Sequence, residues 1–259
     1  MPSLNKAREG AKVVVCTSNL RQLGFAVYGY SAANGEKILA SARNGAGELP
    51  ALGNQDPAYA GPLWFEVLKT SKYIEYAGKS SGILHCPSDK RSKLTYSYSA
   101  NRNVMGFDGS TDPSEAKRFP VWKWTSIKRN LSGIILLGER GAANPGQSGE
   151  IGARWSAAGS SVWTYGGQIG NQVGFFMGRH SNAKVQGKYT NAKLTRLKVP
   201  FALADGHAEV FMKDLPCYYD KNAFSYSGVE IDKAYVDKDS PDSAWPRLLP
   251  VDESWYASR

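Results

Sequence analysis

Histidine and cysteine are scarce in this chain, with three of each among 259 residues. So few cysteines rule out a disulfide-stapled scaffold and allow at most one intramolecular bridge, with one thiol left over. No Cys-x-x-Cys pair and no Cys/His group at zinc-finger spacing occurs, so local spacing predicts no metal site. Long hydrophobic runs are absent as well. The most apolar stretch, Ile134 to Leu137, falls far below the ~20 residues a membrane-spanning helix needs. Catalytic signatures are missing too: no Gly-x-Ser-x-Gly elbow, no His-Glu-x-x-His, no phosphate-binding Gly-x-x-x-x-Gly-Lys, and no Gly-x-Gly-x-x-Gly after a strand. His85 and Cys86 are adjacent in a short apolar run, where neighbouring side chains on a strand point to opposite faces. The expectation is a protein that is not an enzyme and carries no cofactor.

Acidic residues are outnumbered, 23 against 32 Lys and Arg, for a net charge of +9. A basic balance suits nucleic acid, an anionic surface or an acidic polysaccharide. Here the basic residues are spread along the chain, with only short clusters such as Lys90-Arg91-Ser92-Lys93. A solvated basic surface is the expectation, not a nucleic-acid footprint.

What is present is organised around the first 35 residues. Val13, Cys16, Leu20, Leu23, Val27 and Tyr30 fall alternately three and four apart, which lays them on one helical stripe. Lys6, Arg8, Lys12 and Arg21 lie mostly off that stripe. Pro2 suits a first helical position, and Asn34-Gly35 supplies a left-handed stop. A helix over 3–35 would be roughly 45 Å long at 1.5 Å per residue.

Beyond it, 38–62 is rich in Gly, Ala, Asn and Pro and reads as an irregular connection. Pro62 to Leu68 is predicted as a short helix with Trp64, Phe65 and Leu68 inward. Ile83–Cys86 and Leu94–Ser99 are predicted as the first strands, and Trp122–Ile127 as another alternating piece. Ile134–Leu137 is a continuous apolar run and hence a central strand, ending at Gly138-Glu139-Arg140. Residues 141–171 are glycine- and serine-rich with Trp155, Trp163 and Tyr165 embedded, as a long loop region. Val199 to Phe211 is predicted as a hairpin with Asp205-Gly206 as its two-residue turn. One long helix followed by several strands gives an α+β fold, the helix packed on an antiparallel sheet with long loops. With no internal repeat or low-complexity linker, the helix (1–35) and the β-rich head (36–259) are expected to form one domain.

The opening segment carries a family resemblance. Pro2-Ser3-Leu4-Asn5-Lys6-Ala7-Arg8-Glu9 and the helix through Ser18-Asn19-Leu20-Arg21 resemble the stretch after the membrane span of prepilin-like proteins. The relatives in question are those of planctomycete-type bacteria, whose C-terminal domain is named for a His-x9-Asp-Gly motif. Cys86-Pro87-Ser88-Asp89, Asn101 and the segment Phe201 to His207 resemble further pieces of that family. Its signature would fall on His180, Asp205 and Gly206, but 24 residues separate His180 from Asp205, which implies an insertion over 181–198.

The resemblance implies a pilin-like fold and a structural, pseudopilin-like subunit of a type II secretion or type IV pilus-like fibre. It implies a chain beginning just after a membrane anchor, with processing by a prepilin peptidase, N-terminal methylation and an extracytoplasmic site in the cell envelope. Other pilin-like subunits would be partners through the helix, and no nucleic acid would be. The family also shows a comparable cysteine pair, so the resemblance suggests a Cys16–Cys86 bridge; two separate buried thiols remain the alternative.

Three further sites follow from residue type. His180, Asp205 and His207, with Glu139 nearby, could form a metal or acid–base cluster, although Asp205-Gly206 is accounted for by a turn and His180 by a hydrogen-bonded core position. Asp237, Asp239 and Asp242, or Asp108 and Asp112, offer oxygen ligands for calcium, without EF-hand spacing. Finally, Trp155, Trp163 and Tyr165 with the net positive charge suit an alternative function, a surface-displayed module binding acidic polysaccharide.

Overall fold

A computed structural model describes residues 2–41, 62–76, 82–89, 96–106, 120–139, 180, 193–218 and 230–231. Helix α1 runs from Pro2 to Ala33. Its C-terminus closes as the heptad-like stripe ends: across left-handed Gly35, the Glu36 N–H donates to the Ser31 carbonyl at 2.9 Å. Cys16, Leu20, Leu23, Val27 and Tyr30 are buried, as their spacing predicts, whereas residues 3–8 are all exposed. The helix therefore has two halves. The C-terminal half buries its stripe against the sheet with Phe25 on its outer face, and the N-terminal half leaves Leu4, Val14 and Val15 exposed at 48%, 68% and 45%.

The five strands are β1 (Tyr98–Ala100), β2 (Ile135–Glu139), β3 (Lys193–Leu203), β4 (Ala208–Tyr218) and β5 (Glu230–Ile231). They form one antiparallel sheet in the order β1-β2-β3-β4-β5. Its body is β2-β3-β4, flanked by the short β1 and β5. All five residues of β2 are buried, as its continuous apolar run requires. A register shift between Ile135 and Leu137 bends its pairing with β3. The stripe of α1 packs over this sheet. Gly24 faces β3, where an added Cβ would stand 3.6 Å from that of Ala202, an ordinary van der Waals contact. The α+β arrangement is thus present, with the helix and sheet sharing one core.

Helix α2 (Trp64–Thr70) buries Trp64, Phe65, Val67 and Leu68, and the Glu66 carboxylate accepts the Leu63 N–H at 2.7 Å to close its first turn. A single turn, α3 (Arg102–Met105), follows β1. Here Asn101 acts as a bracket: its side chain donates to the Ile135 carbonyl at 2.7 Å and its backbone N–H to that of Leu136 at 2.8 Å.

Several local expectations are corrected. Residues 83–86 are not a strand. The Leu84 carbonyl is taken by the Ser97 N–H at 2.7 Å and the His85 N–H turns back to Gly82 at 3.1 Å, so the run is a turn pinned beside β1. Of the 94–99 prediction, Leu94 and Thr95 lie outside the described residues, Tyr96 and Ser97 are not strand, and Tyr98 and Ser99 belong to β1. Trp124–Ser126 is a 3₁₀ turn, and the extended character before it amounts to one bridge, Lys37 to Lys123. There the Ile38 N–H donates to Trp122 and the Trp124 N–H to Glu36.

The β3–β4 connection has four residues, Ala204-Asp205-Gly206-His207, instead of two. Gly206 N–H donates to Leu203 at 3.0 Å, and Gly206 then takes φ +92° so that Leu203 can pair with His207. The insertion expected over 181–198 overlaps β3, which begins at Lys193.

Candidate functional site

Where α1 first meets the head, four chemically reactive side chains converge. Cys16 arrives on the helix stripe. Cys86 opens the turn Cys86-Pro87-Ser88-Asp89, closed by the Asp89 N–H donating to the Cys86 carbonyl at 2.8 Å; proline suits the second position of such a turn. Asp89 is held from the other side by the Ser97 hydroxyl at 2.8 Å. Glu139 is the last residue of β2, opposite Tyr98 of β1. His180 completes the group.

All four are buried: Cys16, Cys86 and Glu139 at 0% exposure and His180 at 3%. The two sulfurs lie 2.7 Å apart and are not bridged. Cys86 donates to Glu139 Oε1 at 3.2 Å and lies 3.5 Å from His180 Nε2. His180 Nε2 stands 3.0 Å from Glu139 Oε1. The four ligand-type atoms all lie within 4.8 Å of one another.

A second ring of groups orients the first. The Ser88 hydroxyl donates to Glu9 Oε2 at 3.3 Å, so it must accept from His180 Nδ1, also at 3.3 Å. That assigns the Nδ1 proton and turns Nε2 toward Cys86 and Glu139. On the helix side, Asn19 donates to the His85 carbonyl at 3.2 Å and to the Tyr98 hydroxyl at 3.3 Å, leaving the Tyr98 proton for Cys16. One atom has no such provision: Glu139 Oε2 is buried without a hydrogen-bond partner among the described residues.

The electrostatics follow the geometry. Burial alone would push the His180 imidazole down, but its hydrogen bonds to Cys86 and Glu139 and the charge of those groups outweigh it and carry it up to about 9. Burial, reinforced by Cys16 and Cys86, holds the Tyr98 phenol well above its ordinary value. The cluster therefore favours the charged form of the His180 imidazole, 3.0 Å from Glu139.

The site contains only part of what the sequence nominated. His180 and Glu139 meet as expected, and Cys16 and Cys86 are neighbours. Asp205 and His207 take no part: they pair with each other on the exposed hairpin turn, where the His207 N–H also donates to Asp205 Oδ1 at 3.2 Å. Gly206 is the left-handed residue of that turn. Asp237, Asp239, Asp242, Asp108, Asp112, Trp155, Trp163 and Tyr165 lie outside the described residues. Sequence reasoning missed Ser88, Glu9, Asn19 and Tyr98 as orienting groups. The Pro-Ser-Asp turn was the one local signal that could have pointed to Ser88.

No family model matches this chain, and neither a curated protein nor a solved structure is similar to it.

Proposed function

We propose that the protein is a structural subunit of a pilin-like fibre, of the type II secretion or type IV pilus kind, held in the cell envelope. The observation that supports this most is the division of α1. Its stripe from Cys16 onward is buried against the head, while residues 3–8 are exposed and Leu4, Val14, Val15 and Phe25 leave apolar side chains in solvent. A helix that only completed its own head would have no use for exposed Leu4, Val14 and Val15. In a fibre those side chains pack against the helices of neighbouring copies, and the heads stay outside. Glu9 already reaches the head through Ser88, so Val14 and Val15 lie on the outward face of the helix beyond that contact.

The test is performed in the producing cell. The protein should fractionate with the membrane, and a Val14→Cys variant should crosslink to other copies through a short bis-thiol reagent. Recovery in the soluble cytoplasm, or membrane recovery with no crosslinked copies, would overturn the reading.

A further inference from the structure

We propose that Cys16, Cys86, Glu139 and His180 form a closed site for a divalent transition ion of zinc-like preference, which clamps α1 to the sheet. The donor set is two sulfurs, one imidazole nitrogen and one carboxylate oxygen, a mixture suited to a borderline-soft ion and unsuited to calcium or magnesium. The number and burial of the ligands fit a structural site. Four protein groups are present, each at most 3% exposed, so no open position is left for a substrate.

The distances fit with modest adjustment. Ligand atoms around a tetrahedral zinc ion, at about 2.0–2.3 Å from it, stand about 3.3–3.8 Å from one another. The separations described above run from 2.7 to 3.5 Å, and none within the group exceeds 4.8 Å. Drawing in an ion requires the two sulfurs to part by about 1 Å.

Two observations favour an ion over the simpler outcome, a Cys16–Cys86 disulfide. The first is Glu139 Oε2. A fully buried carboxylate oxygen without a partner is costly, and a disulfide would leave it so. A cation held through Oε1 would offset the charge of this buried carboxylate, which a disulfide would not do. The second is the line from His180 to Ser88 to Glu9. Metal-bound histidines characteristically donate their other ring N–H to an acceptor that fixes the ring, and Nδ1–H to Ser88, with Ser88 in turn held by Glu9, is that arrangement. The Tyr98 hydroxyl beside Cys16 plays the matching part for a thiolate.

The experiment uses the whole chain, purified without chelators and kept reduced with a phosphine, and titrated with Co²⁺ alone. Expected are thiolate-to-cobalt charge-transfer absorption and tetrahedral ligand-field bands that saturate at one ion per chain. Added Zn²⁺ should bleach both and raise the thermal midpoint. Cys16→Ser should remove much of the charge-transfer intensity. Ser88→Ala, which leaves every ligand in place, should weaken affinity about tenfold with an unchanged far-ultraviolet circular dichroism spectrum.

Three results would overturn the proposal. One is no cobalt absorption from the folded, reduced protein. Another is binding that Glu139→Gln and Ser88→Ala both leave untouched, which would mean an adventitious thiol pair. The third is peptide mapping that finds Cys16 joined to Cys86 in protein taken from the cell.

Discussion

Replacing Leu20 with alanine tests the division of α1 directly. Leu20 is fully buried on the helix stripe, in the core shared with the sheet. Truncation removes three carbons from a site walled by helix and strands, where collapse is limited, so the expected cost is about 3–4 kcal/mol. For a chain of this size that lowers the thermal midpoint by roughly 6–12 °C. Val14 is the control: it lies on the same helix, but 68% of it is exposed. Val14→Gln should change stability by no more than about 0.5 kcal/mol. Urea unfolding followed by circular dichroism measures both, and an unchanged slope with a shifted midpoint would show that native stability alone had moved. The reasoning fails if Val14→Gln costs as much as Leu20→Ala, or if Leu20→Ala costs less than about 1 kcal/mol.

Other perturbations probe other joints. In the reduced, metal-free protein, His180 is raised from 6.5 to about 9, so its partners favour the charged form in the folded state. Its contribution, about 3 kcal/mol at most, is complete below pH 6.5 and is lost as pH rises through 9. Urea midpoints across that range should fall, and Glu139→Gln should flatten the profile. Asn101→Ala strips the side-chain donor from the buried Ile135 carbonyl and should cost about 1–3 kcal/mol by chemical denaturation. Gly106 holds φ +67°, and a Cβ there would stand 2.3 Å from the Pro120 carbonyl oxygen, so Gly106→Ala should destabilise by more than about 2 kcal/mol in the same assay. Gly10, inside the exposed half of α1 with nothing within 4 Å, should behave oppositely: Gly10→Ala should stabilise by up to about 1 kcal/mol.

The elements that the sequence disclosed are those whose signal is local and repeated. The stripe from Cys16 to Tyr30 recurs over four turns, and Ile134–Leu137 can hardly be anything but interior. Short runs failed for a physical reason. Ile83-Leu84 is apolar because it packs on the core, yet the Leu84 carbonyl is taken by Ser97 and the next N–H, that of His85, turns back to Gly82, so no ladder forms, and two apolar residues carry no period to tell the cases apart. The hairpin was visible in Asp205-Gly206, but loop length depends on how far pairing continues past Ala202, which composition does not encode.

The buried cluster was legible only in pieces. Its four residues lie at 16, 86, 139 and 180, so no spacing rule could collect them. A helix, a turn, a strand end and His180 must first be folded together. Asp205, which the family-like pattern places beside His180, instead pairs with His207 on the exposed turn.

The position of Cys16 has a mechanical consequence. A pull on the N-terminal end of α1 travels along a projecting rod until it reaches the first residues fixed to the head, Glu9 and then Cys16 and Asn19. Because the helix lies against the sheet over its whole second half, that load acts in shear, shared by Leu20, Leu23, Val27 and Tyr30 at once, and does not peel them away singly. The cluster stands at the leading edge of this seam, where tension is highest. A bond or bound ion there would decide whether the rod slips or the head is carried with it.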